Sequence, residues 1–292
     1  MPFQSDIERV PQRVVEVNNW SEFEEKLRWL DSQVVRDGPI DKRFEEPLFR
    51  GQGHHYCQWR LETTLERFAS AESTPAALSL LAYYRKVESC KSTLESLTGR
   101  LWPDVPAFPT FKKQLEEDRH GWLDMFLNGA GVYEYLVYLR HHDFPSPLLD
   151  WTASPYIAAF FAFDKVHPSA EHVCVYAFLR KGLHSGSSER HFFPVGPYMR
   201  TDQRHYLQQC RYSMCVKSDG ADYLFLSHDD VLVERNGDQG NLFEFRIPAR
   251  EGAAVLRKLE LMNINPYSLF ASEDALVRTI ARRECYFKGW EL

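Results

Sequence analysis

The chain has 292 residues, 44% of them hydrophobic and 26% charged, with a formal net charge of −6 at pH 7. This is ordinary globular usage, enough for one large domain or two small ones, and the acidic balance excludes an overall polycation that would bind nucleic acid indiscriminately. The six cysteines (Cys57, Cys90, Cys174, Cys210, Cys215 and Cys285) form no C-x-x-C pair, which argues against a zinc ribbon and reads as reduced thiols of a cytosolic protein.

The opening MPFQSDIERVPQRVVEV has no apolar signal core, and no stretch reaches the roughly 18 apolar residues of a membrane span. A soluble cytoplasmic protein without membrane contact is expected. Residues 13–17, VVEVN, read as a short strand, and Asn19 to Ser32 as an amphipathic helix. Ser21 and Glu24 are spaced as a capping box, and Phe23, Leu27 and Leu30 share one face. RDGPIDKRFEEP reads as loop and LFRG as the next strand. Residues 59–98 read as mostly helical, LWPDVPAFPT as irregular because of its three prolines, and 121–142 as helical again. HVCVYAFLR, YSMCVK, DYLFLS and LFEFRIP are strand-like runs separated by turn signals. AREGAAVLRKLELMN and INPYSLFASEDALVRTIARRE close the chain as helices. The class is therefore α+β, a single unit over 1–292 with a helical insertion at about 59–140.

Two stretches carry chemistry. In LFRGQ, Arg50 stands at the mouth of a strand beside Gly51. A salt bridge at a strand end would explain the arginine; so would a phosphate clamp, with glycine allowing close backbone approach. In PLLDWTASPYIAAFFAF, a short strand feeds a helix through W-T-A-S-P. Ser154 followed by Pro155 is a helix start, and the N–H groups there are suited to an anion. Thr152 and Ser154 add hydroxyls, and Asp150 can orient neighbouring donors; a capped helix with a structural aspartate is the plainer alternative. His54, His55, His141 and His142 have no carboxylate or cysteine at a metal-ligand spacing, so no metal is expected. His141 reads equally as a core histidine bonded to Asp150 or as a catalytic one. G-x-S-x-G and P-loop motifs are absent, as is a carboxylate cluster for a two-metal nuclease.

F-R-G-Q followed by H-x-D-F-P-S-P-L-L-D-W-T-x-S-P-x-x-A-x-x-F-A resembles the FRG domain family. The second block usually reads like Q-H-x-G-x-P-T-R-L-L-D-W-T; here Arg140 takes the glutamine position, Asp143 the glycine, and Ser146-Pro147 the Thr-Arg. R-H-Y-L-Q-Q-C-R-Y, FEFRIPA and INPYSLFASEDAL are similar to later family blocks, so the resemblance spans about residues 15–280. More distantly, Arg50-Gly51 and W-T-A-S-P-Y-I-A-A-F-F-A resemble the first two elements of Arg–Ser–Glu-type ADP-ribosyltransferases.

That resemblance implies a split β-sheet core with N-terminal helices and mono-ADP-ribosyl transfer from NAD. It implies Arg50 and Gly51 at the NAD diphosphate or nicotinamide ribose, Thr152 and Ser154 bracing the pocket with Asp150 and His141 beside them, and Trp151 or Tyr212 stacking on nicotinamide. The late glutamate of that pattern, which stabilises the oxocarbenium-like state, is not obvious. Gln208 and Gln209 stand in a strand-like run, Glu244 falls on a strand face with Leu242 and Arg246, and Glu273 follows a capping Ser272. Glu273 ranks first and Gln209 second. A bacterial toxin or phage-defence effector is implied, with nucleic acid or protein as acceptor and an antitoxin protein as partner. The basic and aromatic run at 54–67 (His54, His55, Tyr56, Trp59, Arg60) suits a single strand of RNA or DNA. The alternative is a noncatalytic module that binds a nucleotide or phosphate through the same arginine.

Overall fold

Alternating apolar residues build eight strands in the computed structural model, which describes residues 12–36, 47–53, 61–71, 79–117, 130–166, 169–180, 191–195, 203–220, 222–234 and 240–288. The strands are β1 (Gln12–Glu16), β2 (Leu48–Gln52), β3 (Leu149–Thr152), β4 (His172–Arg180), β5 (Phe192–Val195), β6 (Cys210–Asp219), β7 (Asp222–Phe225) and β8 (Gly240–Pro248). Their order is β1-β8-β4-β2-β3-β6-β5, with β7 paired to β6. Only β1 and β8 run parallel among these pairs. With helices between and after the strands, the class is α+β.

The sheet is nearly divided at its centre. β2 follows β4 in register from Leu48↔Phe178 to Gln52↔Cys174, yet it meets β3 at the single pair Phe49↔Thr152. The result is two blocks, β1-β8-β4-β2 and β3-β6-β5 with β7. The first block packs against the helices Trp20–Arg36, Pro155–Asp164 and Gly252–Leu261, burying Phe23, Leu30, Ala158, Val175, Phe245 and Leu259 together. Over the second lie the helices Thr64–Ala71, Leu80–Ser89, Phe108–Glu117 and Ala130–His141, all from the segment between β2 and β3. Tyr83, Tyr84, Phe111, Tyr133, Leu136, Tyr212 and Met214 form their core. A third cluster, with Leu48, Leu149, Trp151, Tyr176, Phe178 and Phe192, covers the opposite face.

Local chemistry sets the element ends. The first helix starts at Trp20, with Asn19 Oδ1 accepting from Glu22 N at 3.0 Å; the cap is Asn19, two residues before the expected Ser21. Ser154 is extended (φ −105°) and its Oγ accepts from Ile157 N at 3.3 Å, with Pro155 in the first turn, as the S-P pair requires. Gly51 is fixed by packing: a Cβ there would lie 1.8 Å from the carbonyl oxygen of Ala158. The alanines at 158 and 162 let that helix lie directly on β2. β5, short and carrying Pro194, escapes a sequence reading. Most of the expected loop at 36–47, the first part of the expected helix at 121–142 and the run His54, His55, Tyr56, Trp59, Arg60 lie outside the described residues; Arg36 ends the first helix. Among the described residues no helix is long and apolar enough to cross a membrane, and no group of side chains could hold a metal ion. Among the described residues Cys90, Cys174, Cys210, Cys215 and Cys285 form no disulfide.

Candidate functional site

Where β2 and β3 part, a cleft of about 340 Å³ opens, lined by Arg50, Arg140, His141, Asp150, Thr152, Phe161, Gln208, Tyr212 and Phe270 among others. Arg50 comes from β2 and Asp150 from β3, 100 positions apart. Arg50 Nη1 donates to the Asp150 carbonyl oxygen at 2.7 Å and contacts its Oδ1 at 2.7 Å. The side chain thus satisfies a strand carbonyl at the point where the ladder between β2 and β3 stops. Arg140, at the last turn of the Ala130–His141 helix, brings Nη2 to the same Oδ1 at 2.9 Å. Side-chain exposure is 11% for Arg50, 16% for Arg140 and 44% for Asp150, so the carboxylate is the member of the trio most open to the cleft.

The electrostatics follow from two cations meeting one anion. Burial alone would raise the Asp150 pKa, but the charges of Arg50 and Arg140 outweigh it and hold the carboxyl well below the usual carboxylate range. Asp150 in turn raises the pKa of Arg140. Arg67 is lowered, first by burial and then by the like charges of Arg50 and Arg140. The cleft is therefore a locally positive site in an acidic chain, and Asp150 stays ionised throughout the physiological range.

The other expected site residues fall into two groups. Thr152 is 4% exposed; its hydroxyl donates to the Gln208 carbonyl at 2.8 Å and accepts from Ser154 N at 3.1 Å, bracing the strand-to-helix turn beside the cleft. His141 Nε2 shares a 2.7 Å hydrogen bond with Tyr212 Oη, so the expected bond to Asp150 is replaced by one to tyrosine. Tyr212 is 1% exposed and stacked on His205 at 5.9 Å and 14°; burial pushes its hydroxyl well above its ordinary pKa. Burial likewise pushes the Cys210 thiol up to about 12, which keeps it protonated.

The second group is displaced from its expected role. Strand alternation turns Trp151 to the face opposite Asp150 and Thr152: its indole N–H donates to Ser213 Oγ at 2.7 Å and its ring packs near Phe178, so it presents no stacking face. Tyr212, wedged against His205, is no ring platform either. Gly51 is among the residues that line the cleft, and the close approach at its α-carbon is to the Ala158 backbone; its φ is not in the left-handed region. Ser154 is spent on its helix cap and does not line the cleft. Gln209 has a left-handed φ of +48° in the turn before β6 and is exposed; it is Gln208 that lines the cleft, its Nε2 donating to Leu269 O at 3.0 Å. Glu273 is exposed in the first turn of the Glu273–Ala281 helix, behind its cap Ser272, where the helix dipole favours it. Glu244 is 2% exposed rather than on a solvated face, and Arg246 Nε donates to it at 2.8 Å. Asp150 is thus the single carboxylate among the described lining residues.

Three contributors carried no assigned role in the sequence reading. Phe161 and Phe270 line the cleft half-buried as an edge-to-face pair at 6.1 Å. For Arg140 the sequence offers only its place at the usual glutamine position of the second block. The available signal was position: Phe270 ends the S-L-F run just before Glu273, and Phe161 follows Ile157 by four residues on the helix after W-T-A-S-P.

An arginine on the central strand, an L-D-W-T strand and the S-P-capped helix after it define one motif-built cleft. Residues 45–171 match the family model of the FRG domain. The match takes in F-R-G and L-L-D-W-T and covers less than half of the chain; the blocks at 204–212, 243–249 and 264–276 lie beyond it. No curated protein and no solved structure shows significant similarity to the chain.

Proposed function

We propose that the cleft binds NAD and that the protein transfers the ADP-ribose of NAD to an acceptor. The observation that carries this reading is the convergence of Arg50 and Thr152, from motifs about 100 residues apart, on a cleft at the seam of a nearly split sheet. That seam is what a transferase-like split core would supply. In the reaction the glycosidic bond from ribose C1′ to the nicotinamide nitrogen breaks, and nicotinamide leaves with the electron pair. An acceptor oxygen or nitrogen then bonds to C1′ and loses its proton. Arg50 would anchor the diphosphate, and Phe161 and Phe270 would flank a planar ring. The cleft volume is at the small end of ligand pockets, which run from roughly 300 to 1,000 Å³, so it would enclose one half of the dinucleotide. A cytoplasmic toxin or phage-defence effector, with nucleic acid or protein as acceptor and an antitoxin as partner, extends the same proposal.

A second reading, a noncatalytic nucleotide-binding module, is favoured by one observation: no glutamate is among the described lining residues. The two separate in one experiment. Incubated with labelled NAD and cell lysate, the protein should release nicotinamide and move label into RNA, DNA or protein, and Arg50→Ala should abolish both. Binding of NAD without nicotinamide release would leave the binding module.

A further inference from the structure

We infer that Arg50 and Arg140 form a two-armed anion clamp whose ligand is a doubly charged diphosphate group, and that Asp150 is the clamp's built-in counter-ion, which the ligand displaces. The inference rests on the proposed nucleotide-binding role of the cleft and adds a second cation and a charge requirement to it.

Three features of the trio support it. Both arginines reach the same atom, Asp150 Oδ1, each through one nitrogen. An arginine and aspartate built only to hold each other would use the paired fork that matches a carboxylate; here two forks crowd onto one oxygen. Second, Nε of Arg50 and Nε of Arg140 are buried without a hydrogen-bond partner among the described residues. Buried N–H groups are normally satisfied, and a guanidinium offers five donors, so the two arginines carry more donor capacity than one carboxylate takes up. Third, the exposure is inverted. The arginines are 11% and 16% exposed while the carboxylate is 44% exposed and lines the cleft. The anion thus stands on the cleft side of the trio, where the charged part of a ligand would reach the arginines.

The surrounding charges point the same way. One aspartate against Arg50 and Arg140 leaves a positive surplus, and the like charges of both arginines act on Arg67 as well. A single negative charge exchanging with Asp150 would leave that surplus in place; a diphosphate would remove it and could span both arms. Phe161 and Phe270 on the same wall suit a planar ring attached to that diphosphate.

The test measures binding of inorganic diphosphate and inorganic monophosphate to the full chain by calorimetry at fixed ionic strength. Diphosphate should bind about tenfold or more tightly than monophosphate. Asp150→Asn keeps the side-chain shape but removes the competing charge, and it should tighten diphosphate binding by about tenfold. Arg140→Gln should weaken it by about tenfold or more with the circular dichroism spectrum unchanged. Unchanged or weaker binding in folded Asp150→Asn overturns the counter-ion role. If that variant does not fold, Arg140→Gln still decides, because undiminished diphosphate binding there removes the second arm and the inference with it. A wild type that releases nicotinamide from NAD while diphosphate binding ignores both substitutions sinks this inference alone. The expected diphosphate behaviour without any nicotinamide release sinks the transfer reaction and keeps the clamp.

Discussion

The two blocks of the sheet bury their helices in different ways. On the β1-β8-β4-β2 side, the Pro155–Asp164 helix lies so close to β2 that its Ala158 carbonyl occupies the space of a Gly51 side chain. On the β3-β6-β5 side, the inserted helices meet the sheet through large aromatic rings such as Tyr133, edge-on to Tyr212 of β6 at 6.3 Å. One side is held by backbone approach and the other by side-chain volume. The seam between them belongs to neither packing mode: pairing drops to one residue pair, and Arg50, Arg140 and Asp150 fill it with charge. The cleft opens where that pairing drops out.

The largest way to break this contrast is Gly51→Ala. A methyl group 1.8 Å from the Ala158 oxygen and 2.8 Å from Ala162 N meets backbone, which cannot rotate away as a side chain would. The expected loss is about 3 kcal/mol or more, read as a lower urea midpoint. The sequence alone leads to another expectation, loss of activity at unchanged stability, and the packing corrects it. A Gly51→Ala variant with wild-type stability would mean that the helix is not held by backbone approach.

Arg50 shows how much of the site was legible. F-R-G and L-L-D-W-T were readable as chemistry because charge and hydroxyl groups stood at strand ends, where side chains meet a cleft. The convergence of Arg50, Asp150 and Thr152 followed from that. Facing was harder to read. Alternation along L-L-D-W-T puts Trp151 on the face opposite Asp150 and Thr152, but which of the two faces meets the cleft is decided by packing, with Trp151 held near Ser213 and Phe178. Q-Q reads as strand, yet Gln209 takes a left-handed turn and leaves Gln208 to face the cleft. Glycine in a strand marks close approach without saying by what; the alanines at 158 and 162 were the clue to a helix. Arg140 was beyond reach, since a distant helix end had to fold against β3 before its role could be seen.

A smaller effect sharpens the contrast from the other face. His228 is fully buried and shares a 2.9 Å hydrogen bond with Ser213 Oγ. Burial, followed by the charge of Arg50, lowers its pKa to about 3. In the unfolded chain the group titrates near 6.5. Below that pH the unfolded state takes up a proton that the folded state refuses, so this stabilisation is complete above pH 6.5 and is lost as the pH falls toward 3. The slope is at most about 1.4 kcal/mol per pH unit. Urea midpoints between pH 7.5 and 5 should fall more steeply for wild type than for His228→Gln. Parallel curves would mean that the imidazole titrates normally and that the layer beneath the seam admits water.

The smallest effect separates the seam's chemistry from its scaffolding. Ser154 stands two residues after Thr152, and both belong to the motif. Thr152 lines the cleft, whereas Ser154 Oγ accepts from Ile157 N and caps the helix that packs on Gly51. Ser154→Ala should therefore cost about 1 kcal/mol and lower the melting temperature by about 2–4 °C. The helix start would keep Pro155 and its packed alanines, so the helix itself should remain. Affinity for diphosphate should stay at the wild-type value, because the lost hydroxyl faces the helix rather than the ligand. The opposite pattern, with binding lost at unchanged melting temperature, would place Ser154 in the site and show that the cap leaves its hydroxyl for a ligand.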